Sequence, residues 1–224
     1  MLLLHAKGAE LRTMEAQMRR ELRQMVRRGA REGLLRGTFG NVSVRLGEEL
    51  LITPTGRDYL KLQAEDFAAV DVVSGKVRAG DPSSELPLHL AVYRLLPQVQ
   101  AIWHDHSPFA VAAGLVTDEV PVYTGEGHGL IGLALPVAPY LPSGSRSLAD
   151  AVADVFERTG AGACLMRNHG AVAVGASLFS AYCGAIALEE ASMHYLVTSG
   201  LSPAALPPEE AKAIRAAFAS YRMR

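Results

Sequence analysis

Lysine is scarce in this 224-residue chain: Lys7, Lys61, Lys76 and Lys212 are the whole complement, and none has a recognisable catalytic setting. Chemistry through a lysine imine is therefore disfavoured, although Lys61, between Leu60 and Leu62, stays open as an alternative. Cysteine is rarer still. Cys164 and Cys183 stand apart in apolar surroundings, giving neither a Cys-x-x-Cys spacing nor a disulfide framework, and read as buried reduced thiols. Neither sign of charge dominates, with 22 basic against 23 acidic residues, so there is no basic footprint for nucleic acid. Long apolar runs are also missing. Met1-Leu2-Leu3-Leu4 is too short for a signal core, and no stretch of about 18 uncharged apolar residues is present to span a bilayer. A cytoplasmic location with no membrane partner is the resulting expectation. Internal repeats, low-complexity tracts and dividing linkers are absent too, which makes residues 1–224 one expected domain.

What the chain does have is 49% hydrophobic residues against 20% charged, enough to bury a sizeable core. Apolar spacing predicts an amphipathic helix from Glu10 to about Gly33, with Arg19, Arg20, Arg23, Arg27, Arg28 and Arg31 among its polar positions. These arginines read as a solvated face or a subunit contact before a phosphate patch. Extended segments follow at Val42–Leu46, Leu50–Thr53 and Phe67–Val72, with a Ser74-Gly75 turn into 76–78. Further strands are expected at 120–123, 134–138, 162–166 and 171–174, with Pro136 arguing for an edge or a bulge. Helices are expected from Ser145 or Ser147 to about Arg158, from Ser177 to Thr198, and onward from Pro207-Pro208.

The chemistry concentrates between Asp81 and Phe109. Asp81-Pro82-Ser83-Ser84-Glu85 opens a helical pattern that places Glu85 in its first turn, and an extended run through Val99–Trp103 leads to His104-Asp105-His106. Residues two apart on a strand share a face, so His104 and His106 can meet one ion while Asp105 points away. His169 sits in a strand-to-strand turn before Gly170, whose bare backbone lets an imidazole approach closely. Three imidazoles suit zinc, with copper, cobalt, nickel and iron also acceptable, and Glu85 would close a four-coordinate shell. The competing reading of Glu85 is a carboxylate that favours a helix N-terminus beneath a serine cap. A second set consists of small neutral donors: Gly40-Asn41-Val42-Ser43, Thr53-Pro54-Thr55-Gly56 and Ser83-Ser84. Singly these are turn and cap formers; together they offer hydroxyls, an amide and exposed N–H groups that can hold a phosphate without lysine.

Taken in order, Gly40-Asn41-Val42-Ser43-Val44-Arg45, Leu51-Ile52-Thr53-Pro54-Thr55-Gly56, Pro82-Ser83-Ser84-Glu85, His89, His104-Asp105-His106-Ser107 and Asn168-His169-Gly170 resemble the class II aldolase/adducin family over about residues 10 to 221. The resemblance implies an α/β fold, a three-layer α/β/α arrangement around a mainly antiparallel sheet, and a homotetramer with active sites between subunits. It implies one zinc ion per subunit held by His104, His106 and His169, with Glu85 as both displaceable ligand and acid/base. Asn41, Thr55, Gly56, Ser83 and Ser84 would hold the phosphate of a sugar phosphate. Tyr221 resembles a C-terminal tyrosine contributed to an adjoining subunit's site. The family tyrosine that protonates the aldehyde oxygen falls at Gly125 here; Tyr123, on the same face of an extended segment, could supply the hydroxyl, with His128 or a different proton pathway as the alternatives. The implied reaction is reversible aldol cleavage of L-fuculose 1-phosphate, or a related ketose 1-phosphate, to dihydroxyacetone phosphate and L-lactaldehyde. An epimerase, a dehydratase and a non-catalytic adducin-like module share the pattern. Glu rather than Asp after Ser83-Ser84 favours the aldolase over the epimerase, and the three histidines argue against the non-catalytic module.

Overall fold

Alternation along the strands decides which side chains face which helices, and it is plainest in the middle of the sheet. In the computed structural model, which describes the backbone of residues 2–221 and the side chains of residues 12–218, strand β5 (Ala101–Asp105) is buried throughout. Trp103 packs into one apolar cluster and Ile102 into another, so the two sides of this strand serve two separate cores. β5 lies between β1 (Asn41–Leu46) and β9 (Gly170–Gly175). Outward from β1 come β2 (Glu49–Ile52), β3 (Ala68–Asp71) and β4 (Val77–Ala79); outward from β9 come β8 (Ala163–Met166), β7 (Ala134–Ala138) and β6 (Glu119–Pro121). Among the described residues this makes a nine-stranded sheet in the order β4-β3-β2-β1-β5-β9-β8-β7-β6, antiparallel except where β7 meets β8.

One face is covered by α1 (Leu2–Arg31), α3 (Pro108–Val116) and α6 (Leu178–Val197), which share a core with Val42, Val44, Trp103 and Ala173. The other face carries α2 (Leu86–Leu95) and α5 (Arg146–Thr159), packed on Ile52, Val70, Ile102 and Val172. The result is the three-layer α/β/α arrangement. Ser145 caps α5 by accepting from the Leu148 N–H, and Ser177 caps α6 by accepting from the Ser180 N–H, as their residue types favour. Among the described residues no helix is long and apolar enough to cross a membrane.

Several expectations need correction. α1 begins at Leu2 rather than Glu10 and ends at Arg31. Arg20, Arg28 and Arg31 are exposed, as a solvated face requires, but Arg19 donates to the carbonyls of Ala64 and Phe67, and Arg27 to that of Leu62, pinning the segment between β2 and β3. Pro136 lies on an interior strand. Pairing of β7 with β8 begins at Val137, one residue later, so the missing proline N–H interrupts no position of that ladder. Cys164 is buried and Cys183 only half-buried, both free. A six-residue helix, α4 (Gly125–Leu130), was not expected, and the last helix, α7 (Pro208–Tyr221), packs against it.

Candidate metal centre and phosphate pocket

Three chain segments converge where β5 ends. β5 carries His104 at 0% exposure, and the chain then turns so that His106 stays on the same side. Asp105 points into the opposite layer, where its Oδ1 accepts from the Ser107 N–H and burial pushes its carboxyl up to about 6. The turn between β8 and β9 supplies His169, following Asn168 in the left-handed region at φ 57°. Gly170 is required here, because a Cβ would lie 2.4 Å from the Asp105 carbonyl oxygen and 3.0 Å from His104 Cε1. Gly40, at φ 86°, makes the same close approach from β1, with a Cβ position 2.5 Å from the His104 carbonyl oxygen. Glu85 is the residue immediately before α2, not within its first turn, and its side chain makes no capping bond. Glu85 stands at the start of the helix, as the competing reading has it, and its side chain is aimed at the histidines.

The donor atoms of Glu85, His104, His106 and His169 all lie within 4.8 Å of one another. Glu85 Oε2 is 2.8 Å from His104 Nε2, Glu85 Oε1 is 3.2 Å from His169 Nε2, and the Nε2 atoms of His104 and His106 are 3.1 Å apart. His104 Nδ1 donates to the Ala171 carbonyl at 2.8 Å, which leaves the Nε2 lone pair of the neutral ring directed at the centre. Three imidazoles and a carboxylate, one tautomer already fixed from behind, form a donor set that fits a divalent ion. Burial works to raise the Glu85 carboxyl, but His104 and then His169 outweigh it and hold the group well below the usual carboxylate range. Burial likewise works against charge on His104, yet Glu85 draws its pKa upward; His106, half-buried and facing two other imidazoles, is pushed down to about 4.

Beside this cluster opens a cavity of about 160 Å³ lined by Asn41, Thr55, Gly56, Ser83, Ser84, Glu85, His106 and His169. Members of both sets singled out in the sequence thus border one space. Thr55 and Ser84 are exposed, and Ser83 is buried with its Oγ accepting from the Glu85 N–H. An isolated bridge between Pro54 and Pro82 ties the two donor loops together. No lysine or arginine is among the described residues lining the cavity. Larger grooves, of about 650 and 610 Å³, lie between α2 and α5 and beside α1, away from the histidines.

Two lining residues went unread in the sequence. Ser143 donates its hydroxyl hydrogen to Glu85 Oε1 at 3.0 Å, and Phe39 stacks on His106 with centroids 5.8 Å apart and planes 10° from parallel. Ser143 belongs to no periodic pattern, and Phe39 to no polar motif. The aldehyde-side residues fare differently. Gly125 begins α4 instead of lying on an extended segment, so the shared face expected for Tyr123 does not exist, and Tyr123 does not line the cavity within one chain. His128 is buried with its Nδ1 on the Gly132 carbonyl. The side chain of Tyr221 lies outside the described residues.

Comparison with known proteins agrees with this geometry. The family model described as Class II Aldolase and Adducin N-terminal domain matches residues 20–196. An L-fuculose phosphate aldolase from Escherichia coli strain K12 is 33% identical over 201 residues, covering 87% of this chain and 90% of its own. A solved L-fuculose 1-phosphate aldolase superposes with a TM-score of 0.83 at 29% identity, over 90% of this chain and 95% of that one. The Klebsiella pneumoniae protein YgbL, described as a putative aldolase/epimerase/decarboxylase, superposes with a TM-score of 0.82 at 32% identity, over 90% and 99%. With three histidines and one glutamate converging at the end of β5, the chain belongs to the class II aldolase and adducin family and is a lyase of the aldolase type.

Proposed function

We propose that the protein catalyses the reversible aldol cleavage of L-fuculose 1-phosphate, or a closely related ketose 1-phosphate, to dihydroxyacetone phosphate and L-lactaldehyde. The observation that carries this reading is the juxtaposition of a His104–His106–His169–Glu85 cluster with a cation-free cavity of hydroxyls and N–H groups. Asn41, Thr55, Gly56, Ser83 and Ser84 receive the phosphate; its charge is met by hydrogen-bond donors just ahead of α2, where the helix N-terminus adds a favourable field. His104, His106 and His169 would hold one zinc ion per subunit, with Glu85 as a further, displaceable ligand. When bound, the ion supplies Lewis acidity toward the ketone and its neighbouring hydroxyl.

Glu85 does the proton work. In the condensation direction its carboxylate takes the proton from the carbon beside the dihydroxyacetone phosphate carbonyl, and that carbon then bonds to the aldehyde carbon. In cleavage the hydroxyl on the aldehyde-forming carbon gives its proton to the group that protonates the aldehyde oxygen in condensation, the carbon–carbon bond breaks, the aldehyde departs, and protonated Glu85 gives its proton to the hydroxyl-bearing carbon of the phosphate fragment. Ser143 and Asn41, each bonded to one carboxylate oxygen, set the plane from which Glu85 acts. The aldehyde oxygen needs its own proton donor. Tyr123 does not line the cavity within one chain, so it acts there as a side chain brought by a neighbouring copy, in a homotetramer with sites between subunits, and Tyr221 is assigned the same task.

One sheet is packed on both faces by the helical layers, which supports reading residues 1–224 as one domain. A cytoplasmic location suits a chain handling sugar phosphates with two free thiols. The three aligned histidines favour this reading over a non-catalytic module. Chelation should abolish cleavage of L-fuculose 1-phosphate, and stoichiometric zinc should restore it. Full turnover by rigorously metal-free protein would remove the metal from the account, while zinc binding without turnover on any ketose 1-phosphate would remove the aldolase.

A further inference from the structure

Behind Glu85, buried side chains of β1 and α2 form one hydrogen-bonded line that meets the cavity at Asn41. Tyr93 Oη lies 2.8 Å from Ser43 Oγ, Ser43 Oγ lies 2.6 Å from His89 Nδ1, and His89 Nε2 lies 2.5 Å from Asn41 Oδ1. Asn41 Nδ2 then reaches Glu85 Oε2 at 2.9 Å. Tyr93, Ser43, His89 and Asn41 are each no more than 2% exposed. The two backbone periods lay the line out: Asn41 and Ser43 are two apart on a strand, and His89 and Tyr93 are four apart on a helix. Arg45, the next β1 residue on that face, closes it by lying over the Tyr93 ring and donating to the Tyr93 carbonyl.

The direction of every bond follows from one end. An ionised Glu85 can only accept, so Asn41 must present Nδ2 to it and turn Oδ1 toward His89. Oδ1 also only accepts, so His89 Nε2 carries the ring hydrogen. The neutral imidazole has one such hydrogen, which leaves Nδ1 to accept from the Ser43 hydroxyl, and Ser43 Oγ to accept from Tyr93. Burial, which holds His89 down at about 3, agrees with a neutral ring. Were the ring in its other tautomer, Asn41 would turn over and set its carbonyl oxygen against the carboxylate.

We infer that His89, Ser43 and Tyr93 are positioning residues that lock the Asn41 amide so that it donates to Glu85 Oε2 and holds the carboxylate plane from which Glu85 meets the substrate proton. The inference rests on the reading of Glu85 as the base. It gives a task to buried polar groups that touch neither the cavity nor the histidine cluster, and it makes the tautomer of a remote ring part of the catalytic geometry.

Ring 15N signals of labelled histidine in the zinc-loaded protein test it, with His89 identified by the signals lost in His89→Gln. The expected spectrum shows Nε2 protonated and Nδ1 bare. Ser43→Ala should mix the tautomers. Per bound zinc, Ser43→Ala and His89→Leu should slow solvent-deuterium exchange into dihydroxyacetone phosphate by roughly tenfold or more. His89→Gln, which keeps a donor for Asn41 Oδ1, should recover much of that loss, and Tyr93→Phe should show the smallest effect. A hydrogen on Nδ1 in the wild-type protein overturns the inference, as do wild-type exchange rates per zinc in Ser43→Ala and His89→Leu. If His89→Leu does not fold, Ser43→Ala and Tyr93→Phe carry the comparison. Normal exchange in Glu85→Gln would refute the base itself, whereas an inactive Glu85→Gln beside fully active Ser43→Ala and His89→Leu would refute only the relay.

Discussion

At Gly170 a single methyl group would sit 2.4 Å from the Asp105 carbonyl oxygen and 2.8 Å from His106 Cδ2, both fixed atoms of the cluster. Gly170→Ala should therefore spread β5 from β9, cost about 1–3 kcal/mol as overpacking does, and lower zinc occupancy. Thermal unfolding with metal analysis checks this; full occupancy in a variant of unchanged stability would contradict it. His89 gives a pH test. Its folded pKa of about 3 lies below the ordinary 6.5, so the unfolded chain binds the extra proton between those values. Its contribution is present above about pH 6.5 and lost as the pH falls toward 3, with a slope of roughly 1.4 kcal/mol per pH unit. His89→Gln should flatten that part of the stability curve relative to wild type, and parallel curves would show that the ring is not held neutral. At this scale the sequence was legible wherever spacing alone aimed a side chain, as for His104 and His106. It was not legible for Ser143, whose contact with Glu85 spans 58 residues of chain and leaves no local trace.

Among the elements, α4 and α7 explain each other. A Cβ on Gly129 would lie 2.3 Å from the Phe218 ring, so this glycine lets α7 settle on α4, while one on Gly127 would lie 2.5 Å from Val122 beneath the same helix start. Propensity argues against a helix with glycine at Gly125, Gly127 and Gly129, which is why α4 escaped the reading of the sequence while capped α5 and α6 did not. Gly129→Ala should loosen the C-terminal helix without touching the metal cluster. Amide exchange should speed up across residues 208–221 while zinc content stays at wild-type level, and unchanged protection there would show that Phe218 adapts. Ser145→Ala should cost about 1 kcal/mol through the lost cap of α5.

For the molecule as a whole, the layer arrangement could be anticipated from family motifs, but the strand order could not. β5 is flanked by strands that lie far before and after it in sequence, β1 and β9, and such pairing is decided by long-range packing. The sharing of sites between copies is testable without further geometry. If Tyr221 completes a neighbour's site, Glu85→Gln and Tyr221→Phe chains, each impaired alone, should recover up to about one quarter of wild-type turnover when assembled together at random. No recovery in proven mixed assemblies would confine the chemistry to single chains. The central claim is that Glu85, aimed by the fold at three histidines, moves the substrate proton. It is tested most directly by solvent-deuterium exchange into dihydroxyacetone phosphate, with no aldehyde present, in wild-type and Glu85→Gln proteins of equal zinc content. The account predicts exchange slowed by ~10²–10⁴-fold in Glu85→Gln; exchange at the wild-type rate in that zinc-loaded variant would contradict it.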